Sequence, residues 1–320
     1  MSTALLSAHG LRVETRDTHA GVAPVRGIDL EVRPGERLGI IGESGSGKTT
    51  AVRTLIGSLA RNLHISQGRI DLHGEVVYGD GVNRLAEIRG RSVGMVFQSP
   101  RSTLNPVRTI KSQLCEMMKV HRPGRSRTEA VAHAAQLLAR MGLDDPMRVL
   151  KSYPHELSGG MCQRVAIAMA VIAEPDVLIA DEATSALDVT TQAEVVSLLR
   201  EVCEQSGTAL IFVTHDLLLA GDVCSHLAVM YGGQIVEYGD ADRVLGSPAH
   251  PYTKALLAAT PGWRSDVPPV GIPGIPPRLA LDFVGCGFRD RCLHAREECE
   301  QPVPTHRLTT QQYSCVIGPS

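Results

Sequence analysis

The chain has no apolar run near the roughly 20 residues that cross a bilayer; the longest, Val165 to Ala173, is about half that. It also has little net charge. Lys and Arg number 32 and Asp and Glu 34, a formal −2, so no global excess points to nucleic acid or an anionic surface. Met1 to Gly10 lacks a charged segment leading into an apolar core, so no secretory signal is expected and a cytoplasmic setting is. No aromatic residue precedes Tyr78, and no internal repeat is found. None of the 8 cysteines stands in a C-x2-C pair. In a cytoplasmic protein they are expected as thiols or metal ligands, not disulfides. What remains is ample for a core: 320 residues, 43% hydrophobic, enough for one large domain or one domain with an appendage.

The stretch that organises the chain is Gly42-Glu43-Ser44-Gly45-Ser46-Gly47-Lys48-Thr49. It fits G-x-x-x-x-G-K-[ST], the phosphate-cradling loop. Glycines let successive backbone N–H groups curl around a polyphosphate, Lys48 adds a charge for the outer phosphates, and Thr49 offers a hydroxyl to Mg²⁺. The apolar Leu38–Ile41 reads as a buried strand entering the loop. Residues Thr49 to Ala60, with Thr50 in the first turn, read as a helix whose positive end faces the phosphates.

Pro34-Gly35 marks a turn between strands Ile28–Val32 and Arg37–Ile41, and further strands are expected at His64–Ile70, Glu75–Tyr78 and Val93–Phe97. Gln98 ends the last of these. Residues 100–157 change to a helical pattern. Ser126 and Glu129 form a capping box, Val131, Ala134, Leu138 and Met141 share a face, and Gly142 is a stop. Asp176–Ala180 and Ala209–Val213 are buried strands flanking a helix with Val195, Val196, Leu199 and Val202 on one stripe, ending near Gly207. Strands alternating with helices around a phosphate loop imply a parallel sheet. From Pro261, the prolines 268, 269, 273, 276 and 277 with Gly271 and Gly274 read as an extended connector.

A second anion site lies at Leu157-Ser158-Gly159-Gly160-Met161, a serine and glycines at the start of an apolar helix. Close by, the strand Val177–Ala180 ends in Asp181-Glu182. Asp181 is suited to hold Mg²⁺ through water, and Glu182 to orient and deprotonate an attacking water. Ser185-Ala186-Leu187-Asp188 follows, and His215 ends the next strand.

In this order and spacing the set resembles the ATPase subunits of ABC transporters across residues 5–240. The resemblance implies a phosphate-loop, RecA-like α/β sheet with an antiparallel β portion and a helical insertion near 100–160. It places one nucleotide-binding domain over 1–260 and a Pro-rich, Cys-rich extension over 261–320. It also implies that two subunits sandwich ATP. Residues 42–49 with Thr50 hold phosphate and Mg²⁺, and Gln98 senses metal and water. Ser158, Gly159 and Gly160 reach the γ-phosphate of the partner subunit. Asp181 serves Mg²⁺, Glu182 is the general base, His215 holds the γ-phosphate, and Asp188 communicates across the dimer. Three positions depart from the family. Thr15 stands where an aromatic stacks on adenine, Cys162 where arginine is common, and Ala183 where proline is frequent.

Gln98-Ser99-Pro100, Leu104-Asn105-Pro106, Tyr153–Leu157, His250–Leu257 and Ile272–Pro277 with Gly285-Cys286 resemble the oligopeptide, dipeptide and nickel importer branch. That branch implies a second ATPase, two permeases, an extracytoplasmic binding protein, and a peripheral position on the cytoplasmic face of the membrane. Cys286, Cys292, Cys299 and Cys315 are spaced C-x5-C-x6-C-x15-C. Four thiolates suit an iron–sulfur cluster, zinc and unligated thiols are the alternatives, and the resemblance points to [4Fe–4S], which tails of this branch can carry. Cys115, Cys162, Cys203 and Cys224 read as buried small hydrophobes. The competing reading is a soluble ABC-type ATPase acting on chromosomes or ribosomes, or a redox-sensing one. The chromosome type needs a long coiled-coil rod, which Pro100, Pro106, Pro123 and Pro154 exclude. Nucleic acid is not expected as a partner.

Overall fold

The computed structural model describes residues 4–16, 21–184, 188–263, 268–277 and 280–318. In chain order its elements begin with strands β1 (Leu6–Thr15), β2 (Val25–Val32) and β3 (Arg37–Ile41), helix α1 (Lys48–Leu55), and strands β4 (Leu63–Leu72), β5 (Glu75–Gly79) and β6 (Val82–Asn83). Next come α2 (Leu85–Ile88), β7 (Val93–Val96), α3 (Pro100–Thr103), α4 (Ile110–His121), α5 (Arg127–Arg140), α6 (Pro146–Lys151), α7 (Gly159–Val171), β8 (Val177–Asp181) and α8 (Val189–Ser206). The remainder is β9 (Ala209–Thr214), α9 (Leu217–Val223), β10 (His226–Tyr231), β11 (Gln234–Asp240), α10 (Ala241–Gly246), α11 (Pro251–Ala258), β12 (Thr305–Arg307) and β13 (Gln311–Ser314). They fall into two compact units. One comprises residues up to Leu85 and from Phe212 on, the other Ala86–Ile211. The mixed parallel and antiparallel α/β class expected from the sequence is what the elements form.

The first unit contains an antiparallel sheet in the order β2-β1-β4-β5-β6. Strand β2 shows why: Ile28, Leu30 and Val32 are buried and alternate with exposed Gly27, Asp29 and Glu31, the period of two of a sheet with one dry face. In the same unit β3 runs parallel to β10, β10 antiparallel to β11, β11 antiparallel to β13, and β13 antiparallel to β12. The tail therefore adds two strands that the sequence pattern did not reveal. They are short, and β12 is exposed at Thr305 and Arg307. The helix expected over 49–60 is shorter, Lys48–Leu55. Gly57 at φ +62 reverses the chain, its N–H donating to the Thr54 carbonyl while the Ser58 N–H donates to that of Arg53.

The second unit pairs β7 with β8 in parallel and carries α3 to α8. The capping box at Ser126 and Glu129 is formed, with Met141 and Gly142 (φ +71) ending α5. Ala134, Leu138 and Met141 are buried as expected. Val131 is only half-buried, and Ala130 and Leu137 take the face instead. The α8 stripe Val195, Val196, Leu199 and Val202 is buried, and Gly207 ends it in the left-handed region. Cys162, Cys203 and Cys224 are buried as small hydrophobes, Cys115 partly.

Of the described glycines in the second unit, Gly94 on β7 has the least room: a Cβ would come 2.2 Å from the Ala170 carbonyl oxygen of α7. Gly94→Ala should cost about 2–3 kcal/mol in a denaturant titration, as overpacked interiors do. Gly246→Ala, with open space and an ordinary φ, should stay within about 0.5 kcal/mol. Equal costs at both positions would contradict this account.

A pH dependence follows from His226 in the first unit. Its ring lies 2.9 Å from the Glu36 carboxylate and 3.2 Å from Asp240. The Glu36 carboxylate, facing the ring as acceptor and counter-charge, raises the imidazole pKa above its usual value. Proton affinity is then higher folded than unfolded. The stabilisation is complete below the ordinary imidazole pKa and is lost as pH rises through the folded one. The denaturation midpoints of wild type and His226→Gln should differ at about pH 6 and converge by about pH 9. A gap that is constant with pH would contradict the ion pair.

Candidate functional site

In the first unit the phosphate loop is shaped by what cannot fit beside it. Gly42 has φ +148, and a Cβ there would meet the Met230 carbonyl oxygen at 2.2 Å; Gly47 has φ +100, and its Cβ would meet that of Pro24 at 2.2 Å. The loop is threaded between β10 and the entry to β2 where only glycine passes. Lys48 is 4% exposed. Its ammonium donates to the carbonyls of Gly42 (2.8 Å) and Glu43 (2.9 Å) and lies 3.5 Å from the Ser46 hydroxyl. Ser46 is buried, its carbonyl accepting the Gly233 N–H. Ser44 and Gly45 are exposed at the tip, and Thr49 and Thr50 open α1 half-buried. His215 follows β9, exposed, beside Asp216, which caps α9 by accepting the Leu219 N–H.

The second unit brings together residues the sequence treats separately. The Gln98 amide donates to the Glu182 carboxylate at 2.9 Å, linking the ends of β7 and β8 across 84 positions of sequence. Asp181 is buried at the end of β8. Glu182 has φ +48, the left-handed region that a non-glycine residue enters at a cost of about 1 kcal/mol. Such outliers persist where the surroundings fix them. One such restraint is Gln163 of α7, fully buried, whose amide donates to the Ala183 carbonyl at 2.8 Å. Sequence reading missed Gln163; a polar residue at a core position of an apolar helix is the signal that would have found it.

Ser158 caps α7 by accepting the Met161 N–H. Gly159 has an ordinary φ, and among the described residues nothing would lie within 4 Å of a Cβ there; at Gly160 the nearest atom is a Thr191 methyl at 3.8 Å. Asp188 caps α8, accepting both the Thr191 N–H and its hydroxyl. Ser185, Ala186 and Leu187 lie outside the described residues.

The tail cysteines all border one small cavity of the first unit, with His250, Phe288 and His294. Three sulfurs accept backbone N–H groups: Cys292 from His294, Cys299 from Arg296, and Cys315 from Ile317. Cys286 is approached likewise by the Phe288 backbone. Burial pushes the Cys286 thiol up to about 11 and raises Cys292 and Cys315. Among the described residues no three His, Cys, Asp or Glu side chains stand as a site for a single metal ion.

The chain matches the ABC transporter family over residues 25–185 and the oligopeptide/dipeptide transporter C-terminal region over 236–299. It is 39% identical to the Escherichia coli oligopeptide transport ATP-binding protein OppD over 99% of this chain and 94% of that one. It is also 39% identical to the dipeptide transport ATP-binding protein DppD of the same organism, over 98% and 96%. Among solved structures it resembles the ATP-binding cassette MJ0796, a dimer bound to ADP and phosphate, with TM-score 0.64 and 25% identity over 74% of this chain and 98% of that one. The phosphate loop, the paired acids and the C-terminal region together place the chain in the ABC transporter family, as an ATPase subunit of its oligopeptide/dipeptide importer branch.

Proposed function

We propose that the chain hydrolyses ATP to drive uptake of peptides, or a related small solute such as nickel, through a pair of membrane permeases. A binding protein outside the membrane supplies the solute. The ATPase would sit on the cytoplasmic face of the membrane with a second ATPase subunit. The observation that carries the catalytic part is the Gln98–Glu182 hydrogen bond. It ties a carboxylate at the end of β8, beside buried Asp181, to Gln98, which in this reading reports metal and water. In this reading Lys48, with the loop amides from Gly42 to Thr49 and Thr50, grips the outer phosphates. The Thr49 hydroxyl, Asp181 and Gln98 serve Mg²⁺, which neutralises developing charge. Glu182 takes the proton of the attacking water and His215 steadies the γ-phosphate. Ser158, Gly159 and Gly160 face a nucleotide held by the partner subunit, and Asp188 communicates across the dimer. The open space at Gly159 supports this: among the described residues, packing does not demand glycine there.

For the tail, the donor set fits a [4Fe–4S] cluster. Four sulfurs border one cavity, and those of Cys292, Cys299 and Cys315 accept backbone N–H groups, contacts that would also support metal-bound thiolates. Such a cluster supplies one-electron chemistry or simply covalent anchorage, and Cys286, Cys292, Cys299 and Cys315 would hold it.

Glu182→Gln should lower the ATP turnover number by roughly 10²–10⁴-fold while ATP binding is retained, as expected for loss of a general base. Unchanged hydrolysis would remove Glu182 from that role. Anaerobically purified protein should carry about four irons and matching sulfide per chain. Zinc, or no metal, would reject the cluster and leave the ATPase standing.

A further inference from the structure

Glu43 places a carboxylate inside a loop built to receive the most anionic part of a nucleotide. A free carboxylate there would repel the phosphates, and the structure shows why it does not stand free. Arg291, from the segment between Cys286 and Cys292, donates to both Glu43 oxygens at 2.7 and 3.1 Å. The arginine is itself held in place. It is 8% exposed, donates to the carbonyls of Pro273 (2.7 Å) and Ile272 (3.3 Å), and reaches the Tyr231 hydroxyl at 3.1 Å. Its Cγ lies 3.3 Å from where a Cβ on Gly274 would stand. The Glu43 carboxylate pushes the guanidinium pKa above its usual value.

The backbone of Glu43 is fixed as well. Its N–H donates to the Tyr252 hydroxyl at 2.8 Å, and its carbonyl accepts from Lys48 at 2.9 Å. Tyr252 packs against Tyr231 with ring centroids 4.4 Å apart, and Phe288 of the cysteine segment packs against both, at 5.2 and 5.3 Å. One residue of the phosphate loop is thus anchored by side chains from α11, from the end of β10 and from the tail, all in the same compact unit.

We propose that Arg291 is a positioning residue for ATP binding: its bidentate pair with Glu43 neutralises that carboxylate and draws it away from the phosphate cradle. Bidentate guanidinium–carboxylate pairs fix geometry as well as charge, which a lysine does not reproduce. The inference rests on residues 42–49 being the ATP-binding loop. It requires no metal in the tail, although it means that whatever orders residues 286–292 also bears on ATP affinity.

The test measures the dissociation constant of an ATP analogue, KM and kcat on the full chain, with a thermal melt of each variant. Arg291→Gln should weaken binding and raise KM about tenfold, with kcat at saturating ATP within about twofold, because uniform binding is lost and not transition-state contact. Arg291→Lys should lie between it and wild type. Glu43→Gln in the Arg291→Gln background should bring binding back to within about threefold of wild type, since the unneutralised carboxylate is then gone. Glu43→Gln alone should bind at least as tightly as wild type, an arm that remains informative if Arg291→Gln fails to fold. Unchanged affinity in Arg291→Gln, or a defect that Glu43→Gln does not relieve, would overturn the proposal. Failure of the wild type to bind ATP would instead overturn the reading of the loop.

Discussion

The structure turns on a lysine ammonium held out of water inside a loop of backbone carbonyls. Lys48 is 4% exposed and donates to the carbonyls of Gly42 and Glu43. A buried cation is costly unless its donors are satisfied, so the loop must curl tightly enough to present those oxygens. The curl forces positive φ at Gly42, Gly45 and Gly47. It also brings the loop backbone against the carbonyls of Met230 and Pro24, leaving no room for a side chain at Gly42 or Gly47. The parallel pairing of β3 with β10 fixes where Met230 lies. The sheet register, the glycines and the lysine are therefore one constraint seen at three levels.

Much of this was legible in the sequence because the signals are local. The G-x-x-x-x-G-K-[ST] spacing, the Ser126–Glu129 box, the Gly207 stop and the apolar run ending in Asp181-Glu182 each lie within a few residues, and each is found where expected. What was not legible joins distant parts of the chain. The Arg291–Glu43 pair spans 248 positions. In the sequence Arg291 is one charged residue among several in a cysteine-rich tail. The exposed β12 and short β13 carry no run long enough to mark a strand, and β13 pairs with β11 through tertiary contact. The early end of α1 was missed because Gly57 stands in an otherwise plausible helical pattern, and its left-handed φ is a property of the backbone path.

The tail reads differently once placed. A Pro-rich stretch suggests a spacer, yet the Ile272 and Pro273 carbonyls accept from Arg291, and the Val270 N–H donates to the Ala258 carbonyl. Arg26 is a further tie. It is buried on β2, donates to the Phe283 carbonyl, and has its guanidinium 4.8 Å from the Phe283 ring. A spacer has no need of such contacts. Their cost in chain entropy is offset only if the ordered tail contributes to the fold it returns to.

In the second unit the same economy appears on one helix. The first residues of α7 follow the Ser158 cap, and its interior Gln163 holds the Ala183 carbonyl beside the strained Glu182. The 13 residues of α7 form one hydrogen-bonded helix, so the rise of about 1.5 Å per residue sets the spacing of Ser158 and Gln163 along its axis. Gln163 cannot be displaced along the helix axis while Ser158 stays fixed. The N-terminal end of α7 and the turn that carries Glu182 are therefore tied through the Gln163 side chain. The buried Gln163–Ala183 hydrogen bond is one link between that helix and the turn at Glu182. Made, that bond contributes only about 0.5–1.5 kcal/mol net, but breaking it would leave a buried amide and a buried carbonyl unpaired, at a cost of about 1–3 kcal/mol.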